Sequence, residues 1–140
     1  MYRQILIAVD LAGEPEPVLE KGKALAELHQ ADFKVVYCID QPVTPFGELS
    51  IPQPLLNMAQ LKQEIFPHFK AVASKAGVPA ERLAIEIGHH ADTILQTAEK
   101  RGSDLIVLGS QSRRGLRALL GSTANSVLQR ATCDVLAVRL

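Results

Sequence analysis

Tryptophan is absent from the 140-residue sequence, and aromatic residues make up only 4% of it. The chain therefore lacks the aromatic platforms on which proteins stack the bases of single-stranded nucleic acid. An excess of positive charge is also missing, because Lys and Arg total 15 and Asp and Glu total 15. A chain with zero net charge does not create the broad basic field that attracts a polyanion. We expect neither nucleic acid nor a membrane surface among its partners.

Cysteine is scarce, and long apolar runs are missing. Cys38 and Cys133 are the two cysteines. Neither lies in a C-x-x-C pair, so the sequence predicts neither a zinc motif nor a disulfide framework. No apolar run approaches the roughly 20 residues of a membrane-spanning helix, and the first ten residues do not have the pattern of a signal peptide. These features predict a cytoplasmic protein.

The rest of the composition suits a folded domain. Hydrophobic residues make up 47% of the chain, which at this length is enough for one core. We therefore predict that residues 1–140 form one domain. Apolar runs that predict strands alternate with patterns that predict helices, the strands at 5–9, 33–39, 83–87, 105–108 and 135–138 and the helices at 15–29, 55–76, 92–101 and 121–132. Pro67 is expected to bend or break the second helix.

The predicted strands are continuously apolar, which is typical of parallel strands that are buried on both faces. Their alternation with helices predicts an α/β fold, with a five-stranded parallel sheet and helices on both faces. Ligands of such open sheets bind at the carboxyl ends of the strands, where the strand order reverses. Four strands end at or just before a polar or glycine residue at this edge: Asp10, Asp40, Gly88 and Gly109.

Residues 109–123 (GSQSRRGLRALLGST) leave a predicted strand and enter a predicted helix. Glycine lets backbone N–H groups approach a phosphate closely, and a helix N-terminus adds partial positive charge. Three arginines in the segment could neutralise phosphate: Arg113, Arg114 and Arg117. The segment predicts a polyphosphate cradle. The same residues also fit ordinary loop chemistry, in which Gly turns the chain, Ser caps the helix and Arg stays in water.

Other site motifs do not match. No Lys precedes Ser122, so the segment is not a P-loop, and the first strand is followed by Gly13 alone rather than by G-x-G-x-x-G. No serine lies in a G-x-S-x-G elbow, so a hydrolase triad has no support. Adjacent His89 and His90, with Asp92, have no further His or Cys at ligand spacing. We therefore predict loop and helix-capping roles for these three residues and no metal site.

Several motifs in order resemble the universal stress protein family over the whole chain. They are ILIAVD at 5–10, DLIVLGS at 104–110, GSTANSV at 121–127 and CDVLAVR at 133–139, and the exit from the third strand at Gly88 is similar as well. The resemblance implies a Rossmann-like sheet of the adenine nucleotide alpha-hydrolase type. It also implies ATP as the ligand, a regulatory role in the stress response, and a homodimer through the strand at 135–139. Asp92 could position a Mg²⁺ ion that is bound to the nucleotide, although nothing in the sequence requires one.

The resemblance also implies roles for single residues. Nucleotide-binding members carry Gly, two residues, Gly, nine residues, then Gly and Ser or Thr. This chain has Ser112 in place of the second Gly and eight residues in place of nine. The implied contacts are Ala8, Cys38 and Leu108 with adenine, Asp10 with the nucleoside, Gly109, Gln111, Ser112 and Arg113 with ribose and phosphates, and Gly121, Ser122 and Thr123 with the phosphates.

Two alternatives stay beside the nucleotide-binding hypothesis. One branch of the family does not bind ATP, which would make this chain a nucleotide-independent dimeric scaffold. An adenylating enzyme would need a phosphate loop directly after the first strand, where residues 10–13 offer little support. The sequence shows no dedicated general base, so it leaves slow ATP hydrolysis and autophosphorylation open and predicts no catalytic residue.

Overall fold

The computed structural model describes residues 1–40, 53–110 and 120–140. Within these ranges five strands alternate with four helices, and a 3₁₀ turn at Ala80–Arg82 precedes the third strand. In chain order the elements are β1 (Gln4–Val9), α1 (Pro15–His29), β2 (Asp32–Ile39), α2 (Gln53–Lys75), β3 (Leu83–Ile87), α3 (His90–Arg101), β4 (Leu105–Gly109), α4 (Ser122–Arg130) and β5 (Asp134–Val138). The predicted alternation of strands and helices is confirmed.

The strands form one parallel sheet in the order β3-β2-β1-β4-β5. The chain builds outward from β1 through β2 to β3, then crosses to the other side of β1 for β4 and β5. The order therefore reverses between β1 and β4, where Ile5 pairs with Leu105 and Ile7 with Val107. Connections from such a switch point diverge to opposite faces and leave a crevice at the carboxyl edge.

The two faces of the sheet bury separate apolar clusters. Alternate residues of β1 point to opposite faces, as the pleat of a strand requires. Ile5, Ile7 and Val9 pack with α1 and α2, whereas Leu6 and Ala8 pack with α3 and α4. Helices thus cover both faces, which confirms the predicted fold class and places β1 at the centre of the core.

Helix boundaries differ from the predictions at several points. Helix α3 begins at His90 rather than at Asp92. Its N-cap residue is His89, which makes no side-chain capping hydrogen bond, so the predicted capping of this helix by a side chain is not seen. Helix α4 ends at Arg130 because Ala131 is extended, with φ −65° and ψ 143°. Helix α3 ends as predicted at Gly102, whose φ of +64° suits a residue without a side chain.

Helix α2 also departs from the prediction. It begins at Gln53, two residues before the predicted start, and it continues through Pro67 instead of ending there. Pro67 is exposed, so the ring and the missing N–H lie on the solvent side, where the loss of one helical hydrogen bond is best tolerated. The packed face of α2, with Phe69, Val72 and Ala73 in the core, keeps the helix in place.

Candidate functional site

Three residues that the sequence assigns to an adenine pocket lie on one face of the sheet. Ala8 of β1, Cys38 of β2 and Leu108 of β4 are buried, and all belong to the cluster beneath α3 and α4. Each lies in the carboxyl-terminal half of its strand, and β2 and β4 flank β1 on either side. The structure therefore brings them together at the carboxyl edge, next to the switch point.

The Cys38 thiol is unreactive in this environment. Its side chain is only 5% exposed. Burial, with smaller contributions from the negative charges of Glu86 and Asp40, raises the pKa of the Cys38 thiol to about 12. A thiol that stays protonated is neither a nucleophile nor a metal ligand at neutral pH. Cys38 therefore acts as a small buried apolar side chain.

Asp10 follows the last residue of β1 and organises the turn after it. Its Oδ1 atom accepts a hydrogen bond from the Ala12 N–H at 3.0 Å, and its carbonyl oxygen accepts one from the Gly13 N–H at 3.1 Å. This is the turn-capping role that a strand-end carboxylate is suited to. The same bonds hold the carboxylate at the carboxyl edge of the central strand, beside the candidate pocket.

Gly109 ends β4 and faces the opposite side of the sheet from Leu108. A Cβ atom at Gly109 would lie 2.8 Å from Cδ1 of Leu140 and 3.5 Å from Cγ2 of Val18. The space beside Gly109 is therefore filled by core side chains of the α1 face rather than by open solvent. Any contact of Gly109 with a ligand would come through its backbone.

Two backbone hydrogen bonds join the ends of the 111–119 segment to the sheet. The Ser110 N–H donates to the Val138 carbonyl oxygen at 2.8 Å, and the Gly121 N–H donates to the Ser110 carbonyl oxygen at 2.8 Å. Gly121 is buried and is the N-cap residue of α4. The start of α4 is thus held directly against the end of β4, at the switch point.

The first turn of α4 carries Ser122, which is exposed, and Thr123, which is half-buried. No side chain caps this helix, and no acidic residue lies in its first turn. Helices α1 and α3 carry Glu16 and Asp92 in their first turns, which oppose the positive end of the helix dipole. Helix α2 also has no acidic residue there, but only α4 follows the predicted phosphate segment. Its N-terminus is suited to an anion.

Five of the predicted residues are not described by the structure. Gln111, Ser112 and Arg113 lie outside the described residues, as do Arg114 and Arg117. Of the described residues, Ala8, Cys38 and Leu108 share one buried cluster, and a backbone hydrogen bond joins Gly121 at the start of α4 to Ser110, the residue after Gly109. Asp10 follows β1 at the same edge of the sheet.

Two contacts between basic and acidic side chains near the start of α3 do not follow from the sequence. The Nε2 atom of His90 lies 3.2 Å from Oδ1 of Asp40, which joins the end of β2 to α3. The Nη2 atom of Arg130 lies 2.7 Å from Oδ1 of Asp92, which joins α4 to α3. In the sequence, Asp40 follows the second strand and His90 follows the third. They come together because β2 and β3 are neighbours in the sheet.

A metal-binding cluster is not found in the described ranges, where no three His, Cys, Asp or Glu side chains converge. His89 and Asp92 do approach each other, with Nδ1 and Oδ2 3.8 Å apart, but both are well exposed. Among the described residues, no helix is both long enough and apolar enough to cross a membrane.

Comparison with known proteins identifies the family. A family model described as the universal stress protein family matches residues 1–139. The chain belongs to this family. Universal stress protein A homolog 1 of Coxiella burnetii is 36% identical to it over 138 residues, which cover 98% of this chain and 96% of that relative.

Solved structures of the family share the fold. UspA from Lactobacillus plantarum is 27% identical, with a TM-score of 0.70, and the match covers 99% of this chain and 98% of that one. The universal stress protein of Archaeoglobus fulgidus, solved in complex with dAMP, is 20% identical, with a TM-score of 0.58 and coverage of 98% of both chains. At that identity the likeness shows the fold alone.

Proposed function

We propose that this chain is a regulatory protein of the stress response that binds ATP at the carboxyl edge of its sheet, between β1 and β4. One observation carries the proposal. The buried apolar residues Ala8, Cys38 and Leu108 lie at the same edge as an α4 N-terminus that is held against β4 by the Ser110–Gly121 hydrogen bond. An apolar surface beside an anion-binding helix end is what an adenine nucleotide requires.

The proposed contacts are those that the family resemblance implies. Adenine lies against Ala8, Cys38 and Leu108, and the Asp10 carboxylate accepts hydrogen bonds from the nucleoside. The backbone of Gly109 borders the ribose and phosphates, with contributions from Gln111, Ser112 and Arg113. The N–H groups and hydroxyls at Gly121, Ser122 and Thr123 bind the phosphates. Mg²⁺ arrives with the nucleotide, because its oxygen ligands then come mainly from phosphate and water.

One further observation supports the proposal. The relative from Archaeoglobus fulgidus is described in complex with dAMP, which is an adenine nucleotide on the same fold. We also propose a cytoplasmic location, with which two cysteines outside any disulfide are compatible.

The test is calorimetric titration of the purified protein with ATP, ADP and AMP, together with thermal unfolding at each nucleotide concentration. We expect saturable binding and a melting temperature that rises with nucleotide, because a ligand of the folded state stabilises it. The absence of both heat and thermal stabilisation at millimolar ATP would contradict the proposal.

A matched pair of variants locates the site. Gly121→Val adds a side chain at the start of α4, and we expect affinity for ATP to fall by at least about tenfold, which corresponds to roughly 1.4 kcal/mol. Gly102→Ala is the control, because it alters a helix-terminal glycine of α3 that has no atom within 4 Å of an added Cβ. Gly102→Ala is expected to lower stability without changing affinity. If Gly121→Val binds ATP with wild-type affinity, the site does not lie at the start of α4.

The scaffold alternative also has a structural observation in its favour. Strand β5 is an edge strand, and Val135, Leu136 and Ala137 are half-buried apolar residues. An edge strand presents unpaired backbone groups to a second chain. We propose that residues 135–139 pair with the same strand of a second copy, and that this homodimer forms with or without nucleotide.

A further inference from the structure

We propose that Leu140 is a positioning residue for the nucleotide site, acting through its contact with Gly109; this inference rests on the proposed function. Gly109 is the last residue of β4 and pairs with Val138 of β5. Leu140 lies two residues beyond Val138, is half-buried and packs against the cluster beneath α1 and α2. It therefore joins the core directly below the proposed phosphate-binding backbone.

The geometry at Gly109 shows what Leu140 does there. A Cβ atom at Gly109 would lie only 2.8 Å from Cδ1 of Leu140, closer than ordinary van der Waals contact. The tip of the Leu140 side chain therefore lies beside Gly109, in part of the volume that a side chain at position 109 would enter. Because apolar contacts weaken steeply when a gap opens, this packing holds the residues after β5 closely against the end of β4.

Two short hydrogen bonds transmit that position to the start of α4. The Val138 carbonyl oxygen accepts from the Ser110 N–H at 2.8 Å, and the Ser110 carbonyl oxygen accepts from the Gly121 N–H at 2.8 Å. Val138, Ser110 and Gly121 are thus connected in series. A shift in the end of β5 changes the place of Gly121, the N-cap residue of the helix that binds phosphate in the proposed function.

A purely structural role for Leu140 makes a different prediction. In that case Leu140 would only add to the apolar cluster, and a comparable leucine elsewhere in it would give the same result when truncated. Leu25 of α1 is such a residue, since it is half-buried and packs against the same cluster. The pair Leu140→Ala and Leu25→Ala therefore separates positioning of the site from general stability.

The first measurement does not involve nucleotide. Amide hydrogen exchange, followed by NMR, is compared between the wild type and the two variants after correction for global stability. We expect the amides of Ser110 and Gly121 to exchange about tenfold faster in Leu140→Ala than in Leu25→Ala, as local opening predicts. The Asp32 and Asp104 amides, which bond to Arg3 and Gln4 at the opposite edge, serve as internal references. Equal exchange at Ser110 and Gly121 in the two variants would overturn the proposal.

The second measurement is affinity for ATP by calorimetry. Leu140→Ala is expected to weaken binding by at least about fivefold, a typical size for coupling between sites, while Leu25→Ala stays within twofold of the wild type. Faster exchange without any loss of affinity would also overturn the proposal. If the wild type binds no nucleotide, the proposed function fails, and amide exchange alone decides whether Leu140 positions Gly121. Leu140→Val provides a milder truncation should Leu140→Ala not fold.

Discussion

Gly109 lies where the candidate nucleotide site meets the hydrophobic core. In the sequence it belongs to a glycine-containing segment, which favours a phosphate-binding role. In the structure the tip of the Leu140 side chain lies beside it, and a side chain at position 109 would require Leu140 to move, so packing offers a second reason for glycine at this position. A motif residue can therefore satisfy two constraints, and the sequence reveals only the first.

Asp104 allows a second prediction about a single residue. It lies at the amino-terminal edge of the sheet, far from the candidate site. Its carboxylate accepts hydrogen bonds from the N–H groups of Arg3, at 2.9 Å, and Gln4, at 3.0 Å. Burial opposes ionisation, but these backbone donors outweigh it and hold the pKa of Asp104 below its ordinary value. The folded state therefore binds fewer protons, so this stabilisation is present above the unfolded-state pKa and is lost as the pH falls through the folded-state pKa.

We predict that Asp104→Asn lowers the free energy of unfolding by about 1 kcal/mol at pH 7. The difference from the wild type should shrink as the pH is lowered towards about 3. Urea denaturation at several pH values measures this, with Glu99→Gln, at an exposed position on α3, as the control. A difference that does not change with pH would show that the ionised carboxylate is not responsible.

At the scale of single elements, α2 retains a proline that its own helical geometry does not favour. Pro67 lies inside the helix, where proline removes a hydrogen bond and crowds the preceding turn. Packing of Phe69 and Val72 into the core outweighs this local cost. The element therefore forms against the local preference of one residue because tertiary packing stabilises its other face.

We predict that Pro67→Ala raises the free energy of unfolding by about 1–3 kcal/mol. Alanine restores the backbone N–H and has a high helix propensity, and both effects raise stability. A smaller decrease in stability arises because the unfolded chain without the proline has more conformational entropy. The control is Pro79→Ala, at a residue with φ −74° just before the 3₁₀ turn, where proline fits its backbone and replacement should lower stability slightly. Chemical denaturation measures both variants, and destabilisation by Pro67→Ala would refute this account of α2.

At the scale of the whole molecule, the sheet has two edges, β3 and β5. The proposed homodimer uses β5 alone, and the two edges offer a matched pair of half-buried alanines, Ala137 in β5 and Ala84 in β3. We predict that Ala137→Lys weakens the dimer by at least about tenfold, because an edge-strand lysine discourages pairing with another chain. Ala84→Lys should leave the dimer intact.

Sedimentation analysis across a range of concentrations measures both lysine variants, with and without ATP. A wild type that stays monomeric at every concentration would refute the dimer. Dissociation by Ala84→Lys but not by Ala137→Lys would assign the interface to β3 instead. A dimer that is equally stable with and without ATP would agree with an interface that does not depend on nucleotide.

The order of the elements and the class of fold can be predicted from local sequence patterns alone. Apolar runs such as 5–9 and 105–108 are continuous because both faces of a central parallel strand are buried, and that pattern can be recognised locally. The sequence also placed Asp10 and Gly121 at the carboxyl edge, because strand ends and helix starts have local signals. The family assignment from its motifs agreed with the comparisons.

Which of these residues come into contact depends on the assembled fold. The strand order β3-β2-β1-β4-β5 puts Ala8, Cys38 and Leu108 on one face, and the same order brings His90 to Asp40. The contact of Gly109 with Leu140 and the continuation of α2 through Pro67 depend on packing between segments that are distant in sequence or held by the core. Local propensity does not encode such contacts, because their free energy arises only when the whole sheet and its two helical layers have assembled.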